Sequence, residues 1–376
     1  MKRSLNILKR PMLIILAVVL LLFVAVCAVM HQPQFGELPK GTRLARIEKS
    51  PHFKDGRFHN RVETPTISEG YSFTGELYKT LFKNYPRRAP KDSLPSVKTN
   101  LKGLPPGKDL IVWFGHSSVY IQAGGIRFLI DPSFSGKASP LPWGPKAFKG
   151  SNIYATSEIP EIDYLLISHD HYDHLDHETV LALKHKIRYV VCGLGTGAHF
   201  ERWGFTPEQI IEKDWYEKIA VNDSVIINTE SSHHDSGREF TRGKALWMSY
   251  LIQTPKTKIY ISGDGGFDDH FAAIGEKYGT IDWAVMEDGQ YDKAWNSVHN
   301  LPEEVVQATL DLKAANLLPV HHSKFILGKH PWDEPLIKIT ELSSLKPYRL
   351  ATPMIGEVVW LNDSSQVFKQ WWKGIN

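Results

Sequence analysis

Disulfide stapling is all but excluded. The chain of 376 residues has two cysteines, Cys27 and Cys192. Cys27 lies in an apolar N-terminal run, so Cys192 stands alone in the remainder and no intramolecular bridge is expected there. Cysteine usage therefore does not report the redox compartment. Charge of one sign is also scarce. A formal net charge of +3 is too small to demand nucleic acid as a partner, and none is expected. No internal repeat is apparent. What remains is an ordinary globular composition, 42% hydrophobic and 23% charged, at a length that suits one large domain or two modest ones. Histidine is the exception: seventeen are present, and many cluster at short spacing.

Met12 to Met30 reads MLIILAVVLLLFVAVCAVM, a run just long enough for one helix to cover a hydrocarbon core. Lys2, Arg3, Lys9 and Arg10 precede it. Basic residues there favour a cytoplasmic N-terminus with the rest of the chain passed across. The expectation is a single-pass membrane protein, held in the bilayer through residues 11–30, with the rest on the extracytoplasmic side. The competing reading is a cleaved signal peptide. Val26 and Ala28 offer a small-residue cleavage pair, although such apolar regions usually run about 7–15 residues.

Residues 31–105 are rich in Pro, Lys, Arg and Gly without a sustained period, and read as an extended lead-in packed on a domain. Within them SPHFKDGRFHN mixes aromatic and charged residues, so this stretch is expected to be docked. From Asp109 the texture changes, and residues 106–376 read as one catalytic domain. Short β-branched and aromatic runs (DLIVWF, VYIQ, GIRFLID, YLLIS, RYVVC, SVIIN, WMSYLIQ, KIYIS, LLPV) alternate with turns. Helical patterns intervene at His177 to His185 and Asp268 to Tyr278. A third starts near Pro302, with Glu303 and Glu304 facing the positive end of its dipole. Strands in runs with helices between and after them suggest two sheets flanked by helices.

The strand-like run Tyr164 to Ser168 is followed at once by SHDHYDHLDH. His169, His171, Asp173 and His174 form H-x-H-x-D-H. Alternate residues leaving a strand point the same way, so His169 and His171 can grip one cation. Asp173 and His174 follow on the turn and can face a second. Imidazole and carboxylate suit zinc. Other strand ends offer further donors: His233 and His234 in SSHHDSGR, Asp264 in ISGDGG, His321 and His322 in PVHHSKF. An Asp can bridge two cations, one oxygen each.

With these residues in view, the chain resembles the metallo-β-lactamase superfamily. Within it, the chain most resembles the group that includes N-acylphosphatidylethanolamine phospholipase D and its bacterial relatives. The resemblance runs from about Asp109 to Pro335, on IVWFGHSS, LIDPSF, WGPKAF, SHDHYDH, HDSGR with ALWMSY, SGD, H-x-x-P-E-E from His299 to Glu304, and VHHSKF. It implies an α/β fold, the four-layer αββα sandwich, here with an N-terminal transmembrane helix. It implies two zinc ions per chain. His169, His171 and His234 would hold one, Asp173, His174 and His321 the other, and Asp264 would bridge them. Strand alternation agrees with one ligand per doublet, which leaves His233 and His322 in supporting positions. His116 and Asp131 would back the ligands by hydrogen bonds.

The implied mechanism uses a bridging hydroxide of lowered pKa, with Asp173, Asp264 and His299 as catalytic residues and His299 orienting the substrate. The expected substrate is a phosphodiester, an N-acylphosphatidylethanolamine-like membrane lipid. A small molecule cleaved by a lactonase or amide hydrolase is the rival, as is a tethered zinc-binding envelope protein without turnover. Trp371 and Trp372, with Lys369 and Lys373, suggest a membrane interface. They also suit a C-terminal segment packed on the domain. Glu287 and Asp288 depart from the family pattern and would repel an anionic phosphate, for which Lys324 could compensate. Gly193, Gly195 and Ala198 fit G-x-G-x-x-A with Glu212 downstream, a weak dinucleotide signature.

Overall fold

The computed structural model describes residues 2–65, 67–238 and 241–376. Among them the strands form two seven-stranded sheets and a small hairpin. The first sheet runs in the order Val358–Trp360, Leu110–Trp113, Val119–Ala123, Ile126–Ile130, Ile162–Ile167, Ile187–Gly193, Ile210–Lys213. The second runs Arg349–Leu350, Ala314–Val320, Ile281–Glu287, Lys258–Ile261, Ser249–Gln253, Ile226–Glu230, Lys218–Ala220.

Strand periodicity divides the apolar residues into three layers. Along Leu110–Trp113, Ile111 and Trp113 join one cluster with Tyr250, Ile259 and Trp283 of the second sheet, which fills the space between the sheets. Leu110 and Val112 point the other way and pack with Val180, Leu183 and Phe200. On the outer face of the second sheet, Leu251, Tyr260 and Ala284 pack with Phe271, Ile274, Val305 and Ile339. Side chains two apart share a face, and sheets buried on both faces read as near-continuous apolar runs. Full burial of each such side chain contributes about 1.5–3 kcal/mol. Helices His177–Leu183 and Gly197–Arg202 supply residues covering the first sheet, and His270–Tyr278, Pro302–Asp311 and Glu334–Ser343 the second. This is the four-layer αββα sandwich.

In each sheet part of the ladder is parallel. Ile126–Ile130, Ile162–Ile167, Ile187–Gly193 and Ile210–Lys213 run together, as do Lys258–Ile261, Ile281–Glu287 and Ala314–Val320. Parallel strands carry their C-terminal ends to one edge, where open α/β sheets present functional groups. Asp131, His169, Glu287 and His321 each follow or end one of these strands.

At the N-terminus, Lys2–Met30 is one helix, and its stretch Met12–Met30 is apolar and long enough to cross a membrane. By length and position it equally passes as a signal sequence. The following segment carries the short helices Gly41–Ile47 and Phe73–Phe82, which the composition of residues 31–105 did not announce. SPHFKDGRFHN forms the hairpin Phe53–Lys54 with Arg57–Phe58. It is docked: Phe58 N donates to Gly243 O at 2.8 Å and Lys244 Nζ to Gly56 O at 2.5 Å. Trp371 and Trp372 are buried among the inter-sheet core residues, and Trp371 Nε1 donates to Pro353 O at 3.1 Å. Their place is in the core, not at a membrane interface, because the C-terminal segment packs on Trp332, whose ring centroid lies 6.4 Å from that of Trp371.

Candidate metal centre

The turn after Ile167 places His169 and His171, and the loop after Ile226–Glu230 brings His234 to them. His169 Nε2 lies 3.0 Å from His171 Nδ1, and His234 Nε2 lies 3.3 Å from the same atom. His174 Nε2 lies 3.5 Å from Asp173 Oδ2 and 3.0 Å from Asp264 Oδ2. His321 Nδ1 approaches Asp264 Oδ1 to 3.2 Å, and Asp264 Oδ2 is 3.9 Å from His169 Nε2. All seven residues singled out in the sequence thus converge, with Asp264 between the two histidine groups. Glycine permits this approach. Gly263 has φ +60, and a Cβ there would sit 2.7 Å from Ser168 Cβ, next to His169. His116, Asp131 and His321 also have positive φ (53°, 41° and 69°), uncommon outside glycine and a mark of backbone held in place by its surroundings.

The sides of these groups that face away from the centre are occupied. His169 Nδ1 lies 3.0 Å from Ser168 Oγ, His174 Nδ1 2.9 Å from Asp131 Oδ2, and His234 Nδ1 2.9 Å from Val298 O. His116 Nε2 lies 2.8 Å from Asp173 Oδ2. Such partners fix ring orientation and tautomer. The inner atoms are not satisfied in the same way: His174 Nε2 and Asp264 Oδ1 are buried without a hydrogen bond.

The charge balance has the same sense. Burial, reinforced by His174 and His171, holds His169 well below its ordinary pKa, and burial lowers His234 to about 3. Burial would raise Asp264 and Asp173, yet the surrounding histidines keep both well below the usual carboxylate range. Burial would lower His174, but Asp264 and Asp173 outweigh it and hold that ring well above its ordinary value. The His174 proton offsets part of the carboxylate charge, and a cation would take its place, since neutral imidazoles with ionised carboxylates are the forms that bind one. The donor set of nitrogen and oxygen fits zinc.

The other member of each doublet turns away. His233 Nδ1 lies 2.8 Å from Asp268 Oδ2 and its Nε2 2.5 Å from Thr64 Oγ1. His322 packs on Trp113. His299 sits beside the centre, its ring 5.2 Å from that of His234 and 5.4 Å from that of His321.

Two expectations about charge need correction. Glu287 is fully buried and does not face a substrate as a bare charge: its Oε1 lies 2.6 Å from His299 Nδ1, and its Oε2 accepts from Gly265 N at 2.5 Å. Burial lifts Glu287 to about 7. Burial works against the pair's proton on His299 too, but Glu287 raises that ring to about 9. Asp288 is also fully buried. Lys324 cannot meet a phosphate, since it is fully buried with Nζ donating to Phe114 O at 3.1 Å. The glycine turn is likewise closed to a dinucleotide. Glu212 Oε1 accepts from both Gly195 N and Gly197 N, so the amides that would cradle a pyrophosphate already hold a carboxylate.

Sequence reasoning missed Asn60. Its Oδ1 accepts from His234 N at 3.1 Å and its Nδ2 donates to His234 O at 2.8 Å, so the lead-in clamps the backbone of a site histidine. Only the docked character of SPHFKDGRFHN hinted at it.

A family model described as beta-lactamase superfamily domain matches residues 126–322, more than half of the chain. The chain belongs to that family. An uncharacterised protein of Mycobacterium tuberculosis is 32% identical, over 83% of this chain and 85% of its own length. N-acyl-phosphatidylethanolamine-hydrolyzing phospholipase D 1 of Caenorhabditis elegans is 27% identical over 82% of this chain and 96% of its own. Among solved structures, the metallo hydrolase Igni18 of Ignicoccus hospitalis shares the fold at a TM-score of 0.50 and 18% identity, covering 67% of this chain and 97% of that one. The chain is a metal-dependent hydrolase of the metallo-β-lactamase fold.

Proposed function

We propose that this hydrolase is a dinuclear zinc phosphodiesterase that uses a bridging hydroxide and acts on N-acylphosphatidylethanolamine-like phospholipids. The observation that carries the reading is the convergence of six donors around Asp264, all but His171 and Asp173 fully buried, with the Glu287–His299 pair at their edge. His169, His171 and His234 would hold one ion, and Asp173, His174 and His321 the other. When bound, two such ions supply a nucleophile at neutral pH and take up charge that develops in the transition state. The chain's own residues do the rest. Asp264 sets the spacing between the two histidine groups. Asp131, His116 and Asn60 keep the donors from turning. Glu287 fixes the His299 ring through Nδ1, which leaves Nε2 to donate to a substrate oxygen and to the departing alkoxide.

The substrate class draws on two further observations. A cavity of about 450 Å³ opens beside His234 and Val298; Lys54, Arg57 and Arg242 line it together with Phe58 and Trp247, and Arg242 is paired with Asp235 at 2.9 Å. Lys54 and Arg57 in such a lining suit an anionic headgroup. The other is the nematode relative's activity toward N-acyl-phosphatidylethanolamine. The span Met12–Met30, with basic residues ahead of it, would tether residues 31–105 and the catalytic domain 106–376 on the extracytoplasmic side of a membrane. The test is a panel of a water-soluble phosphodiester, a lactone and an N-acyl phospholipid, each with and without chelator. Chelator-sensitive turnover of the two phosphodiesters and not of the lactone is expected. Turnover of the lactone alone would reassign the enzyme to carbonyl chemistry.

A further inference from the structure

Helix Phe73–Phe82 is built inside out. A surface helix ordinarily buries its apolar stripe and turns its charges to water. Here Phe73, Leu77, Tyr78 and Phe82 are 69%, 47%, 65% and 72% exposed, while Glu76 is 6% exposed. Glu76 faces inward, where it is paired with Lys79 at 2.6 Å and with Lys329. Polar contacts hold the helix to the domain, and its aromatic face points outward. Exposed apolar clusters of this kind mark interaction sites.

Its position narrows the occupant. The segment leading to the helix crosses the loop that carries His299: Ser297 Oγ donates to Pro65 O at 2.9 Å, Ser68 N to Ala294 O at 2.9 Å, and Ser68 Oγ to Asn296 Oδ1 at 2.8 Å. The exit of the N-terminal apolar helix is fastened at the other loop of the site. Arg202 donates to His31 O at 2.5 Å, and Arg238 donates to Gln34 O at 2.7 Å and to Asp170 O, between His169 and His171, at 2.9 Å. The end of the apolar span and the inside-out helix therefore flank one site. A second copy of the chain is a poor occupant. Four partly exposed side chains offer on the order of 400 Å², short of the roughly 800 Å² per partner of a stable interface. Aromatic and aliphatic side chains on one face, with an exposed lysine, Lys83, at the helix end, match a helix lying at a headgroup boundary.

We propose that helix Phe73–Phe82 docks on a lipid bilayer, with Phe73, Leu77, Tyr78 and Phe82 dipping into the acyl boundary beside the mouth of the site. The proposal rests on the membrane-bound reading of residues 12–30 and not on the identity of the hydrolysed bond. Its test uses the full chain in phosphatidylethanolamine–phosphatidylglycerol vesicles that contain a lipid with a photoactivatable acyl chain. After irradiation, mass spectrometry is expected to find lipid adducts on residues 71–83 as well as on 12–30. The triple variant Phe73→Ser/Tyr78→Ser/Phe82→Ser is expected to lose the adducts on 71–83 by about fivefold or more while keeping those on 12–30. Its KM for vesicle-borne phosphodiester should rise about tenfold, with kcat/KM for a water-soluble phosphodiester unchanged. Adducts confined to 12–30, or a triple variant whose only change is a smaller oligomer by light scattering, would overturn the docking. Adducts on neither segment would overturn the membrane reading along with it.

Discussion

Glu287 Oε1 lies 2.6 Å from His299 Nδ1, and both groups are held beside the donors at Asp264 and His321. Twelve residues separate them in the chain, across the turn that follows Ile281–Glu287. A carboxylate behind an imidazole fixes its tautomer and sustains its proton, so Glu287 acts through His299. Glu287→Gln keeps an acceptor for Gly265 N but loses the charge. Its kcat should fall about 10²-fold, the lower end for general acid–base effects, with KM little changed. The alkaline limb of the pH profile, which His299 sets by losing its proton, should also move to lower pH. Metal content, read by elemental analysis, should stay at the wild-type level. Equal loss of metal would mean that Glu287 is merely structural.

Removing a donor should act differently. Asp264→Asn or His171→Ala is expected to lose bound metal and activity together, since the first removes the carboxylate charge between the two histidine groups and the second removes a nitrogen donor. Elemental analysis and turnover of a soluble phosphodiester check this. A metal-free Asp264→Asn protein with full turnover would contradict the mechanism.

Lys324 predicts a pH dependence of stability. Unfolded, its amine keeps a proton up to about 10.5; folded, burial lowers that limit to about 7. Between these values the unfolded chain binds more protons, so stability rises with pH through that window. Below about 7 both forms are protonated and the penalty is constant. Lys324→Met should therefore raise stability at pH 7 by about 1–3 kcal/mol, the cost of a buried polar group less its hydrogen bond. The gap between variant and wild type should narrow toward pH 10. Urea midpoints at the two pH values check the sign.

Trp371→Ala should behave as a core deletion. Both Trp371 and Trp372 belong to the inter-sheet cluster, and a buried tryptophan truncated to alanine costs about 3–5 kcal/mol. A lowered urea midpoint is expected, with vesicle binding of the folded protein unchanged. An unchanged midpoint with weakened vesicle binding would return these residues to a membrane interface.

What could be read in the sequence was local. H-x-H-x-D-H follows an apolar strand, so strand geometry alone told which side chains share a face. The doublets at His233–His234 and His321–His322 obeyed the same parity once the family alignment chose the member. Layering was legible because the strand runs were apolar on both faces. What failed was long-range. Asn60 reaches His234 across 174 residues, and no spacing rule signals such a clamp. Glu287 looked like a charge aimed at substrate because a sequence does not reveal that its partner is His299. The helix Phe73–Phe82 carries a helical apolar period in Phe73, Leu77, Tyr78 and Phe82, but it is short and set in a stretch rich in Pro and Gly, and no sequence pattern tells whether such a face turns to a core or away from it.

Anomalous scattering at the zinc edge from crystals of the full chain bears most directly on the seven-donor arrangement. The expected map has two peaks, one among His169, His171 and His234 and the other among Asp173, His174 and His321, with Asp264 between them. A map with no peak at these residues, or a single peak that leaves His234 or His321 unattached, would contradict it.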